Sequence, residues 1–319
     1  TQRRRAEEAL AYHQQALAVF QRDGALKTSS LATAMDNVAS SLAGVGRFDE
    51  ADSIYRKVVP LKVEAFGPQN PQTLLTMNNY ARMKMFMGDV AGAEALYRDV
   101  LAGRRAALGD SSDQVAVTLS DMARCAIARG RSAKAESLLT KSVAIAEARL
   151  GAESMNTNFV RSTLARVHRD LGKHAESVRE FREARAYLGK IMGEEGPTLA
   201  WLDSELGASL DAAGESRAAD SVFASLAKIS AATLSPADLL RVQLYYGSHL
   251  AKRGRFAEAE KNLLLAEQAL RDPRELNMRR RLDLLNTLVD MQRAWSSREP
   301  SAARTAALRR WTAVRDAEA

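Results

Sequence analysis

Small and apolar residues return along this chain at two periods, one of a helix turn and one much longer. The longer period is set by glycines: Gly46, Gly88, Gly130, Gly172, Gly214 and Gly254 are separated by steps of 42, 42, 42, 42 and 40 residues. Seven residues before each stands a small side chain, Ala39, Ala81, Ala123, Ala165, Gly207 or Gly247, and five after it another, Ala51, Ala93, Ala135, Ser177, Ala219 or Ala259. Small residues on both sides of a short turn let two antiparallel helices approach closely, and glycine relieves the backbone where the first helix must stop. Each unit is therefore predicted to be a helical hairpin.

Nine residues past each glycine comes a larger group, Tyr55, Tyr97, Leu139, Phe181, Phe223 or Leu263, sized to plug the space between successive hairpins. A second glycine series, Gly67, Gly109, Gly151 and Gly193, also steps by 42 and predicts the end of each second helix. Pro68, Pro71, Pro197, Pro236 and Pro273 fall in the expected connections, where breaking a helix is useful. Pro60 lies inside an expected second helix and predicts a kink or an early end there.

The predicted fold is all-α, a right-handed superhelical solenoid of antiparallel helix pairs. Counting 42 back from Ala51 lands on Ala9 in EEALAYHQQAL, so residues 1–23 read as the second helix of a truncated repeat. Its missing first helix implies a segment upstream, and its open apolar face, Leu10, Leu17 and Phe20, is one that two copies could share. Six repeats then fill 30–272, at 30–68, 72–110, 114–152, 156–194, 198–235 and 236–272. Residues 275–318 keep helical spacing but carry Ser296 at the expected turn glycine, and they read as a degenerate capping helix pair. The run Met278–Arg281 and the pair Arg309–Arg310 would turn charge outward there.

Composition changes this picture little. Hydrophobic residues make up 46% of the 319 and charged residues 27%, which excludes a disordered or collagenous chain. A single cysteine, Cys125, excludes an intrachain disulfide; five residues before a turn glycine, it is expected to be a small buried hydrophobe. No stretch reaches the roughly 18 uncharged apolar residues of a spanning helix. The formal charge of +7, from 46 basic and 39 acidic residues, permits an acidic partner. Basic clusters sit at the two ends and base-stacking aromatics are scarce, so nucleic acid is not an expected partner.

Catalytic and metal-binding patterns fail one by one. His168-Arg169-Asp170-Leu171 spells a kinase catalytic loop, but the Asn that must follow the Asp by five residues is Ala175, and the string closes a helix before Gly172. The four histidines, His13, His168, His174 and His249, lie in different units or on different helix faces, so neither a metal nor another cofactor is expected.

The sequence of small residue, turn glycine, small residue, aromatic resembles the tetratricopeptide repeat, and the 42-residue period with FGPQNPQT and MNNYA is similar to its kinesin-light-chain variety. The resemblance covers nearly the whole chain. It implies a non-catalytic protein- or peptide-binding scaffold within a larger signalling protein. The phrase around Ala294, Trp295 and Pro300 also resembles the end of repeat arrays in bacterial serine/threonine protein kinases. That implies the alternative of a sensory or substrate-docking region whose catalytic domain lies upstream. The compartment is undecided: a cytoplasmic one is favoured, a periplasmic or extracytoplasmic one follows if a membrane kinase tethers the array.

On each first helix, positions 11, 8, 7 and 4 before the glycine share one face, and positions 13, 9, 6 and 2 fall nearly opposite. The second set predicts the inner wall. Its six-before positions include Arg82, Arg124 and Arg166, its nine-before positions Asn37 and Asn79, and its thirteen-before positions an apolar row from Leu75 and Val117 through Phe159 to Trp201. Asp121 could pair with Arg124 three residues on. The candidate peptide-binding groove is Asn37, Asn79, Arg82, Arg124, Arg166, Phe159 and Trp201. In the resembled family groove asparagines and basic residues bind short, often acidic peptides, which implies a ligand with carboxylates and an apolar anchor.

Overall fold

The computed structural model describes residues 2–22, 28–193, 199–229, 233–270 and 278–318. Among these residues every regular element longer than a single turn is an α-helix, fifteen in all. A lone helix α1 (Gln2–Arg22) is followed by α2 (Thr28–Gly44) with α3 (Phe48–Phe66), α4 (Pro71–Phe86) with α5 (Val90–Leu108), and α6 (Asp113–Ala128) with α7 (Ser132–Leu150). Then come α8 (Met155–Asp170) with α9 (His174–Met192), α10 (Ala200–Ala212) with α11 (Ser216–Leu226), and α12 (Pro236–Lys252) with α13 (Phe256–Ala269). The last two are α14 (Met278–Arg298) and α15 (Ala302–Glu318). The chain forms two compact units, Thr1–Val160 and Arg161–Ala319. The expected connections that hold Pro197 and Pro273, and the side chains of Phe20 and of 278–280, lie outside the described residues.

The six turns share one geometry because they share one chemistry. Each turn glycine has a positive φ, from 68° at Gly130 to 84° at Gly46. Left-handed backbone there lets the next residue's N–H reach back five positions to a carbonyl that the helix end leaves unpaired, as Arg47 to Leu42 and Arg131 to Ala126, both at 2.9 Å. The small residues on either side of these turns are buried: Ala39, Ala81, Ala123, Ala51, Ala93 and Ala135 are all fully covered, as are the plugs Leu139, Phe181, Phe223 and Leu263. The fit leaves no slack. A methyl group on Gly207 would come within 2.7 Å of the Phe223 ring.

In the first unit successive first helices touch directly. Thr76 Oγ1 on α4 donates to Asp36 on α2 at 2.6 Å, and Cys125 on α6 lies 3.3 Å from the Met85 sulfur on α4. Second helices do likewise, Lys134 reaching Glu94 at 2.6 Å. Burial pushes the Cys125 thiol up to about 11, so it stays protonated and packs as a small apolar group. In the second unit Phe181, Phe223 and Leu202 form one core, and Leu263, Leu284, Leu288 and Trp311 another that joins α12 and α13 to the last two helices. Helix α14 runs on past Ser296 to Arg298, and Trp295 stacks on Phe256 at 5.9 Å with Arg304 over the Trp295 ring.

Pro60 does not end its helix early: α3 continues through it to Phe66. Proline removes one backbone donor and costs an exposed helix interior about 3 kcal/mol, but Tyr55, Val58 and Lys62 on either side are buried and anchor the helix on the opposite face. Tertiary packing outweighs the local preference.

Candidate functional site

A first helix is covered on both flanks by its own partner and by neighbouring hairpins, so only one stripe of it stays open. On α4 the stripe is Leu75, Asn79, Arg82 and Phe86, while Leu74, Thr76, Met77, Asn78, Tyr80 and Ala81 between them are buried. On α6 it is Val117, Asp121 and Arg124, again among buried neighbours. The apolar members are exposed. Leu75, Val117 and Phe159, one per repeat at equivalent places in the first unit, are 53%, 50% and 39% exposed.

Polar groups line the same stripe. Arg82 Nη2 donates to Asn79 Oδ1 at 3.3 Å, which turns the Asn79 amide N–H groups toward other acceptors. With Ser40, Tyr55 and the stacked rings of Phe48 and Phe86, these two residues line a cavity of about 190 Å³. Asn37 is exposed on α2 and borders a second cavity of about 460 Å³ with His13, Thr33 and Gln72. Arg124 is largely exposed and sits 3.6 Å from Asp121. Burial holds the Asp121 carboxyl above its ordinary range even though Arg124 and Arg82 pull the other way.

The corresponding stripe of the second unit is closed. Trp201 is partly buried and packs against the core around Phe223. Glu205, nine residues before its turn glycine, is almost fully buried and accepts from Arg169 at 2.8 Å, with Arg241 at 3.5 Å and Arg166 at 4.0 Å. The Tyr245 hydroxyl donates to the same carboxylate at 3.3 Å, and Arg169 lies over the Tyr245 ring. Burial alone would raise the Glu205 carboxyl; Arg169, Arg166 and Arg241 outweigh it and hold the group below the usual carboxylate range. Arg166 thus faces an internal carboxylate, whereas Asn37, Asn79, Arg82, Arg124 and Phe159 all belong to the first unit.

The sequence reading missed Arg169 and Phe48, and it left Phe86 unnamed at an inner-wall position two before its glycine. Arg169 stood out only as part of a kinase-like string; in the structure His168 of that string pairs with Glu180 at 2.9 Å and Arg169 with Glu205. Phe48 and Phe86 lie two after one turn glycine and two before the next, a spacing that would have marked the pair. Among the described residues no three His, Cys, Asp or Glu side chains gather to hold a metal, and no helix is long and apolar enough to cross a membrane.

Residues 31–72, 72–148 and 159–183 match tetratricopeptide-repeat family models. The chain is similar in fold to the kinesin light chain nearly identical TPR-like repeats of Podosopora anserina, at 24% identity over 65% of this chain and 98% of that one, with a TM-score of 0.57. It is also similar to BtubC (BKLC) from P. vanneervenii, at 19% identity over 70% and 90% of the two chains, TM-score 0.57. A tetratricopeptide repeat protein from Parabacteroides merdae aligns over 86% of this chain and 91% of its own, at 15% identity and a TM-score of 0.58. No curated protein matches the sequence.

Proposed function

We propose that this chain, a tetratricopeptide-repeat protein with kinesin-light-chain-like 42-residue units, is a non-catalytic scaffold that binds an acidic peptide with apolar anchors on the open first-helix stripe of its first unit. The observation that carries this reading is the contrast between two uses of the same positions. In the first unit Leu75, Val117 and Phe159 are exposed beside the exposed Arg82 and Arg124. In the second, Glu205 already occupies the arginines. Large apolar side chains left bare beside guanidinium groups suit a partner that brings both carboxylates and apolar surface. Asn37 and Asn79 would donate to the carbonyls of an extended backbone, and Arg82 and Arg124 would take its carboxylates.

The test is a pair of charge reversals, measured by fluorescence anisotropy against a labelled peptide selected from an acidic display library. Each charge-assisted hydrogen bond contributes about 1.5–3 kcal/mol, so Arg82→Glu with Arg124→Glu should weaken binding by at least ~100-fold while helicity by circular dichroism stays unchanged. Arg166→Glu, which faces an internal carboxylate, should leave the affinity within a few-fold. Unchanged binding in the double variant would remove this reading.

A further inference from the structure

Resting on that reading of the first unit, we propose that Arg104, a second-helix residue beneath the open stripe, takes one glutamate carboxylate of the acidic peptide in a forked bond from Nε and Nη2. Arg104 on α5 is only 6% exposed. Its guanidinium reaches between two first helices: Nη1 donates to Thr118 Oγ1 at 2.6 Å and the Gln114 carbonyl at 3.1 Å on α6, and to Asn78 Oδ1 at 3.4 Å on α4. All three acceptors are neutral. Nε has no partner and is sealed from solvent; Nη2 has none either but is not sealed. Burial holds the guanidinium below its ordinary value, and among the described residues the carboxylates of Asp121 and Asp113 act on it only from beyond ion-pair distance.

One repeat earlier the same place is balanced. Lys62 stands 42 residues before Arg104, Asp36 42 before Asn78 and Thr76 42 before Thr118. There the buried Lys62 ammonium lies 3.6 Å from the Asp36 carboxylate, which also accepts from Thr76 at 2.6 Å. In the next repeat the cation and the threonine are kept, and the carboxylate has become the amide of Asn78. A buried charge without a counter-charge is costly, and arginine cannot shed its proton to escape. Amides, hydroxyls and water accept its hydrogen bonds without balancing its charge. A ligand carboxylate does both.

The two nitrogens left unused are the pair suited to a carboxylate. Nε–H and Nη2–H lie on one edge of the guanidinium plane and point the same way, matching two carboxylate oxygens. This chain uses that pair on its own carboxylates: Arg255 donates from Nε and Nη2 to Glu258 at 2.8 and 2.6 Å, and Arg47 does the same to Glu50. The residues around the anchors of Arg104 are open. Gln114 is itself exposed, as are Val117 beside Thr118 and Leu75 one helix turn before Asn78. Because the fork lies beneath that layer, the longer stem of glutamate suits it better than aspartate. Arg82 and Arg124 at the surface remain for the peptide's other carboxylates.

The probe is the labelled peptide selected from the acidic display library, measured against the full chain. Asn78→Asp supplies an internal carboxylate where Asp36 stands one repeat earlier; it is expected to raise the thermal midpoint by circular dichroism and to weaken the peptide by about tenfold or more. Arg104→Met is expected to lose the same affinity without loss of helicity. Replacing the peptide's glutamates one at a time by glutamine should find one whose loss weakens binding to the unaltered chain and has no further effect on Arg104→Met, a coupling that a merely structural arginine would not show. Affinity unchanged in both variants but lost in Arg82→Glu with Arg124→Glu overturns the inference and leaves the acidic-peptide reading standing. Coupling spread evenly over all the glutamates overturns the forked contact, and coupling to the peptide's C-terminal carboxylate, read by amidating it, overturns the glutamate assignment. Binding indifferent to Arg82 and Arg124 overturns the reading on which the inference rests.

Discussion

Glu205→Gln tests the closed wall of the second unit most directly. Glutamine keeps the size of the side chain and removes only its charge, so no cavity forms. The carboxylate lies 2.8 Å from Arg169, whose guanidinium is nearly as buried and also donates to the Glu205 carbonyl at 3.1 Å. Two unit charges about 4 Å apart at an effective dielectric near 20 attract by about 4 kcal/mol, and removing one member of a buried pair typically costs about 3–5 kcal/mol. Arginine cannot shed its proton to escape. Arg166, at 4.0 Å and half-buried, adds a longer-range attraction with no direct hydrogen bond. All three tryptophans, Trp201, Trp295 and Trp311, lie in the second unit, so urea unfolding followed by tryptophan fluorescence reads that unit alone. The expected loss is about 3–5 kcal/mol, a fall in midpoint temperature of roughly 6–20 °C for a unit of this size. The pH dependence has a definite sign. Because the folded carboxyl is held below its ordinary range, its contribution is fully present above about pH 4.5 and is lost as pH falls toward the depressed value; the variant should lack that loss. A double replacement of Arg169 and Glu205 by methionine should recover most of the stability. A loss below about 1 kcal/mol in Glu205→Gln, or no recovery in the double variant, would refute the argument that these arginines are internally engaged.

Three further perturbations follow from the same geometry. The Asp121 carboxyl is held above its ordinary range by burial, so the fold gains stability as pH falls through the raised value; Asp121→Asn should raise the urea midpoint of the first unit at pH 7 by circular dichroism, remove that gain, and tighten acidic-peptide binding several-fold by releasing Arg124. Gly207→Ala should destabilise the second unit even though alanine favours a helix by about 1 kcal/mol, because its methyl would meet the Phe223 ring at 2.7 Å and overpacking costs about 1–3 kcal/mol. Gly130→Ala, in open space with φ at 68°, should cost about 1–2 kcal/mol through backbone strain alone. A stabilised Gly207→Ala protein would contradict the close packing of the hairpins.

The hairpin geometry was legible because its requirements are local and repeated. A glycine at Gly88 with φ of 79°, an alanine at Ala81 with no exposed surface and a ring at Tyr97 filling the gap each constrain one position, and the constraint returns with the period. The inner stripe was legible for a similar reason: helical geometry alone places Leu75, Asn79 and Arg82 on one face. Its state was not. Whether Glu205 lines an open wall or seals it depends on Arg169 and Arg241, 36 residues before it and 36 after, and a single-helix reading cannot see across the stack. At Pro60 the expected early end does not occur, since that local preference is overridden by the burial of Tyr55 and Val58.

In three of the repeats the residue nine before the turn glycine sets how the nearby arginines are engaged. At Asn79 the side chain is neutral; it accepts from Arg82 and leaves the full positive charge facing outward. At Asp121 a short carboxylate makes its ion pair within its own helix, 3.6 Å from Arg124, and burial disfavours its charged form although Arg124, Arg82 and Arg104 favour it. At Glu205 one more methylene and deep burial let a carboxylate draw in arginines from the preceding and the following repeat, and their charge is engaged within the stack. The same scaffold thus leaves its arginines facing outward or pairs them internally according to the length and charge of that side chain.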